Sequence, residues 1–103
     1  MHYHYFTIEQ REALQHQLAA RAVELRAGFA AEPETEDEIA ERERERRELA
    51  YVEASLRRLH EPEFGLCTDC GEEIPYKRLK ARPVTTLCIE CKTQQEREEK
   101  IRR

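Results

Sequence analysis

The chain has 103 residues, of which 18 are Lys or Arg, 22 are Asp or Glu, four are Cys and none is Trp. Charged residues make up 39% and the hydrophobic set another 39%, which leaves too little apolar volume for a broad core around a deep catalytic pocket. No apolar run approaches the roughly 20 residues that span a bilayer, and a net charge of −4 argues against wholesale binding to nucleic acid.

In chain order, Met1-His2-Tyr3-His4-Tyr5-Phe6 lacks the basic start, apolar stretch and small-residue cleavage site of a secretory signal. Residues 1–6 are expected to form a flexible N-terminus of a cytoplasmic protein. Thr7-Ile8-Glu9-Gln10 reads as a capping box that opens a helix. Its apolar residues Leu14, Leu18, Ala22, Leu25 and Phe29 are spaced 4, 4, 3 and 4, one stripe of a helix. The pattern fails near Gly28 and stops before Pro33, so the helix is expected to end within 27–32. A second helix is expected from Glu34 to Glu36 onward, with acidic residues at the positive end of its dipole. Its expected seam is Ile39, Leu49, Val52, Leu56 and Leu59, and it must stop before Pro62. Between Ile39 and Leu49, the Glu/Arg alternation of residues 41–48 has no apolar stripe and reads as a solvated face. Two such helices joined by about five residues predict an antiparallel hairpin, a coiled-coil rod over 7–62 with arms of roughly 35–40 Å and its tip at about 31–38. The hairpin buries its own seam and its outer faces are charged, so a monomer is expected.

Periodicity disappears over residues 64–91, where Cys67-Thr68-Asp69-Cys70-Gly71 and Cys88-Ile89-Glu90-Cys91 give C-x2-C, seventeen residues, C-x2-C. Two tight turns of this kind aim four sulfurs at one metal. Zn2+ accepts a tetrathiolate without geometric penalty, and four protein ligands leave no open coordination position for substrate. The spacing therefore predicts one structural zinc on Cys67, Cys70, Cys88 and Cys91, supplying the folding free energy of a segment poor in apolar residues. Gly71 stands where the first turn calls for a left-handed backbone. Oxidation of the thiolates would release the metal, a route to redox regulation. The finger is expected over 63–92 and a short C-terminal helix over 93–103. The fold class is thus mainly α: a helical hairpin on a small four-cysteine zinc finger. His2, His4, His16 and His60 are not at ligand spacing, there is no Gly-rich phosphate loop and no nucleophile paired with a base, so no enzyme is expected. The charge is polarised: Glu32, Glu34, Glu36, Asp37 and Glu38 at the expected tip, Lys77, Arg78, Lys80 and Arg82 in the finger.

Phe64-Gly65-Leu66-Cys67-Thr68-Asp69-Cys70-Gly71-Glu72-Glu73-Ile74, with Arg78-Leu79-Lys80-Ala81-Arg82-Pro83 and Leu87-Cys88-Ile89-Glu90-Cys91-Lys92, resembles the DksA/TraR zinc finger, and the preceding hairpin is similar to that family's coiled coil. The resemblance implies a regulator that binds bacterial RNA polymerase rather than DNA, with the hairpin entering the secondary channel to modulate initiation. The family's tip pattern D-x-x-D-x-A is met here by Glu34, Asp37 and Ile39, a longer acid at the first position and a bulkier residue at the last. Arg44 and Arg46, with Arg47, fall where the second arm would face acidic residues of the channel rim. Several members cooperate with guanosine tetraphosphate, the stringent-response alarmone. Of the positions implicated, Arg82 and Lys92 are basic here, and the third falls at Tyr51. The same cysteine spacing also occurs in GATA-type DNA-binding fingers, though these carry a Trp and a strongly basic helix. A zinc-stapled coiled-coil adaptor for another protein, or a weakly regulating polymerase-binding relative, also fits the pattern.

Overall fold

In the computed structural model, which describes residues 7–102, the Thr7 hydroxyl accepts from the Gln10 amide at 3.0 Å and Gln10 Oε1 accepts from the Thr7 amide at 2.9 Å. This capping box opens helix α1, Ile8–Gly28. A second box, which the sequence reading did not single out, opens helix α2, Glu36–Arg58: Thr35 is its N-cap and Glu38 reciprocates. Residues 1–6, with His2 and His4, lie outside the described residues.

The expected stripe of α1 is buried at Leu14, Leu18, Ala22 and Leu25. On α2 it meets Val52 and Ser55, with Leu59 just beyond the helix end and Leu49 and Leu56 partly covered. The arms are antiparallel and, at 1.5 Å per residue, about 32 and 35 Å long. They are slightly shorter than expected because the connection takes the seven residues between Gly28 and Glu36. Ile39 does not belong to the seam. It sits in the first turn of α2 and is 49% exposed, because the 3.6-residue period carries it about 140° away from Val52 and about 160° away from Leu59. Phe29 also leaves the stripe: it is the C-cap of α1 and half-buried. Arg21 and Arg26, about 140° apart around α1, tie the arms on opposite flanks. Arg21 makes a bidentate pair with Glu48 (2.6 and 2.8 Å), and Arg26 reaches Glu53 at 2.6 Å.

Below the hairpin, Phe64, Cys67, Ile74, Leu79, Leu87 and Cys88 form one buried cluster with Leu14 and Leu59 of the arms. Val84 packs on the cluster of Leu18, Ala22, Leu25 and Val52. A short helix α3, Tyr76–Ala81, lies within the stretch that showed no periodicity. It buries Leu79, and Gln17 of α1 donates to the Lys80 carbonyl at 2.8 Å. Helix α4 spans Ile89–Arg102, so it begins inside the second cysteine pair rather than after it. It makes no direct helix–helix contact among the described residues. The chain is mainly helical, 51 × 38 × 18 Å in extent, and among the described residues no helix is long and apolar enough to cross a membrane.

Candidate metal centre and recognition surfaces

The first cysteine turn is built by backbone bonds. The Gly71 amide donates to the Cys67 carbonyl at 2.9 Å and the Cys67 amide to the Glu72 carbonyl at 2.8 Å. Gly71 has φ +78°, the left-handed conformation that a side chain disfavours and that the sequence reading expected. Gly65, at φ +93°, does the same one turn earlier, where the Ile74 amide reaches its carbonyl at 2.7 Å beside an antiparallel bridge between Leu66 and Glu73. The second turn is the start of α4. The Cys91 amide donates to Cys88 Sγ at 3.4 Å and the Lys92 amide to the Cys88 carbonyl at 2.9 Å. The Thr68 amide donates to the Thr86 carbonyl at 2.9 Å and joins the two turns. Arg78 of α3 fixes the approach to the second one by donating Nε to the Leu87 carbonyl (3.1 Å) and Nη2 to Thr85 Oγ1 (3.3 Å).

These bonds bring the sulfurs of Cys67, Cys70, Cys88 and Cys91 within 4.8 Å of one another, with Cys70 Sγ and Cys88 Sγ 3.8 Å apart. A regular tetrahedron with Zn–S bonds of about 2.3 Å has an edge of about 3.8 Å. The sulfur set therefore fits a tetrathiolate zinc site, and all four cysteines are free of disulfides. The thiols are unequal without metal. Burial pushes Cys67 up, but amide donors from Cys88, Cys70 and Asp69 and the Cys91 thiol outweigh it and bring it down to about 6. Cys91 is pushed up by sharing hydrogen bonds with the Cys88 and Cys67 sulfurs. A thiolate is thus favoured at Cys67, the form in which sulfur binds metal.

At the other end of the molecule the expected tip residues Glu34 and Asp37 are exposed, as is Ile39. Glu38 is occupied: its Oε1 accepts from the amides of Glu34 (2.8 Å) and Thr35 (3.0 Å). Those bonds, that from Glu34 first, hold its carboxyl below the usual carboxylate value. The expected rim residues separate. Both are exposed, but the Arg46 guanidinium lies 5.2 Å from the Phe29 ring centroid, with Arg42 at 5.3 Å. The Glu/Arg segment therefore makes a contact with the end of α1 that periodicity of apolar residues could not reveal.

Arg82 and Lys92 come together. With Tyr51, Val84, Thr85 and Gln95 they line one open recess of about 310 Å³ between α2, the loop after α3 and α4. Lys92 Nζ donates to Gln95 Oε1 at 3.3 Å. Arg82 and Val84 also line a wider groove of about 750 Å³ against Leu18, Arg21 and Val52 of the arms.

Comparison with known proteins adds kinship to this geometry. The prokaryotic dksA/traR C4-type zinc finger profile matches residues 62–97. The RNA polymerase-binding transcription factor DksA of Haemophilus influenzae is 49% identical over 63 residues, 61% of this chain and 43% of that protein. The protein of the same name from Escherichia coli K12 is 44% identical over 71 residues, 69% of this chain and 47% of that protein. The chain thus spans under half the length of these curated relatives in its matches. Among solved structures, the RNA polymerase binding protein and transcriptional regulator Dks from Chlamydia trachomatis L2 superposes with a TM-score of 0.66 over 90% of this chain and 94% of that one, at 22% identity. That likeness speaks for the fold. The transcription factor DksA2 from Pseudomonas aeruginosa gives a TM-score of 0.58 at 32% identity, over 90% of this chain and 79% of that one.

Proposed function

Since this chain belongs to the DksA/TraR family of C4-type zinc-finger proteins, we propose that it is a transcription regulator that binds bacterial RNA polymerase directly and reaches into the secondary channel with its hairpin. One observation carries this reading: a narrow two-helix arm stands on a four-sulfur base and ends in exposed carboxylates, Glu34 and Asp37, held by a capping box. Zinc on Cys67, Cys70, Cys88 and Cys91 staples the base and takes no part in chemistry. The tip acts by placing negative charge, and the protein is a cytoplasmic monomer with no catalytic step of its own.

Arg44 serves the affinity of the complex through acidic residues at the channel rim. The recess of Tyr51, Arg82 and Lys92 receives guanosine tetraphosphate against the polymerase surface. Two cations suit its phosphates, and Tyr51 in place of a third makes this factor less dependent on the alarmone than fully basic relatives. Sequence-specific DNA binding is the weaker reading, because α4 alternates Glu with Lys and Arg and presents no basic face.

Pull-down with bacterial RNA polymerase core, followed by in vitro transcription with and without guanosine tetraphosphate, tests the proposal. The expected result is stoichiometric capture at moderate salt and an altered yield from initiation-sensitive promoters. Absence of capture, together with tight retention of random duplex DNA at low salt, would overturn it.

A further inference from the structure

The connection between the arms is held by α2 at both of its ends. Phe29 closes α1, and its ring stands against two guanidinium groups one helical turn apart, Arg42 and Arg46, at 5.3 and 5.2 Å from the ring centroid. An aromatic face attracts such cations through its quadrupole. Arg42 does a second job. Its Nη2 donates at 3.2 Å to the carbonyl of Gly28, the last residue of α1, where carbonyls lack helical partners and carry the negative end of the dipole, and also to the Ala31 carbonyl within the connection. At the far end of the connection, Glu38 Oε1 accepts from the Glu34 and Thr35 amides, and the Thr35 hydroxyl accepts from the Glu38 amide at 3.1 Å.

We propose that Phe29, Arg42 and Arg46 are a lock that sets where the carboxylates of Glu34 and Asp37 stand relative to the arm, and so are positioning residues for the tip. This rests on reading the tip as the effector end. Two of the four arginines in 41–48 are spent on the lock. Arg44 and Arg47 make no hydrogen bond or ion pair among the described residues and are left for an acidic partner. The lock needs a planar cation over a ring, a geometry that lysine does not reproduce and that leucine at position 29 would abolish while keeping most of the apolar bulk.

The test is amide hydrogen exchange on the zinc-loaded full chain, compared for wild type, Phe29→Leu, Phe29→Trp and the pair Arg42→Gln with Arg46→Gln. Losing two exposed cation–π contacts is expected to speed exchange at Glu34 and Thr35 by roughly five- to thirtyfold in the Leu and double-Gln variants. Trp, the best cation–π partner, retains protection, and amides at Leu18 and Val52 do not change in any variant. Unchanged exchange at the tip in both disrupting variants overturns the lock, as does equal acceleration at Leu18 and Val52. A transcription arm separates this outcome from the wider reading. Phe29→Leu is expected to lower the maximal effect several-fold with the half-saturating concentration unchanged, and Phe29→Trp restores it. If tip amides loosen yet Asp37→Asn and Phe29→Leu both keep full activity, the lock stands as geometry and the effector role of the tip falls.

Discussion

Glu38 marks the difference between an acid that probes and an acid that builds. It belongs to the same acidic run as Glu34, Glu36 and Asp37, but its carboxylate accepts two backbone amides, and those bonds lower its pKa below the ordinary 4.5. A carboxyl whose folded value is depressed contributes order that is fully present above its unfolded value and lost as pH falls through the folded one. The tip is therefore expected to loosen on acidification from pH 4.5 downward, read as loss of Glu34 and Thr35 amide protection. Glu38→Gln keeps the acceptor without the titration and is expected to make tip order insensitive to pH in that range. An equal acid response in the Gln variant would show that another group controls it. Leu14 is a different kind of residue. It is fully buried, and its neighbours come from both the arms and the finger. Leu14→Ala is expected to cost about 2–5 kcal/mol, measured by urea unfolding, with hairpin and finger signals moving together.

At the level of elements, the two apolar clusters divide the work. One lies within the arms, where Leu18, Ala22 and Leu25 meet Val52; the other joins Leu14 and Leu59 to the finger and is wrapped around the cysteine turns. Structural zinc in finger peptides carries an apparent binding free energy of about 10–16 kcal/mol, at least as large as the roughly 6–15 kcal/mol that four or five buried apolar side chains at the base supply before the entropy of ordering the segment is subtracted. Chelation is expected to melt residues 64–91, including α3, while part of the α1–α2 helicity survives on its own seam. Far-UV circular dichroism and amide dispersion with and without chelator check this. A finger that stays dispersed after metal removal would show that apolar packing suffices. The hairpin was legible in the sequence because a buried stripe leaves a period, and the sulfur set because C-x2-C is a geometric instruction. Three features were not. Helix α3 is six residues long, too short for a period, and is held by Leu79 and by the Arg78 clamp on Thr85 and Leu87. The start of α4 hides inside a metal turn. The cation–π contacts of residues 41–48 are made by Arg42 and Arg46, whose partner, Phe29, belongs to the end of the other arm, so no local pattern announces them.

For the molecule as a whole, the proposed function depends on transmitting the fixed position of the base to a tip at the other end of the arm. The foot of the arm is tied by the Gln17 bond to Lys80 and by Val84 on the arm cluster, the middle by ion pairs on both flanks. Those pairs are half-exposed and each is worth little in stability; their consequence is orientation. Under the proposed function, affinity and effect belong to different places. Arg44, on the outer face of α2, should set how tightly polymerase is held, and Asp37, at the tip, what the bound factor does. Arg44→Glu is expected to raise the dissociation constant by roughly tenfold, the scale of one lost charge pair turned repulsive, with a loss that shrinks as salt is raised. Its maximal transcriptional effect at saturation should be retained. Asp37→Asn is expected to do the opposite, with zinc content and affinity near wild type and a reduced maximal effect. Arg44 is the cleaner choice than Arg46 for this contrast, because Arg46 touches Phe29 and its loss would disturb the tip as well. Titrating both variants against polymerase in one transcription assay gives two numbers for each, a midpoint and a plateau. If the two substitutions shift the same number, the arm is not a rigid spacer between a holding surface and an acting end.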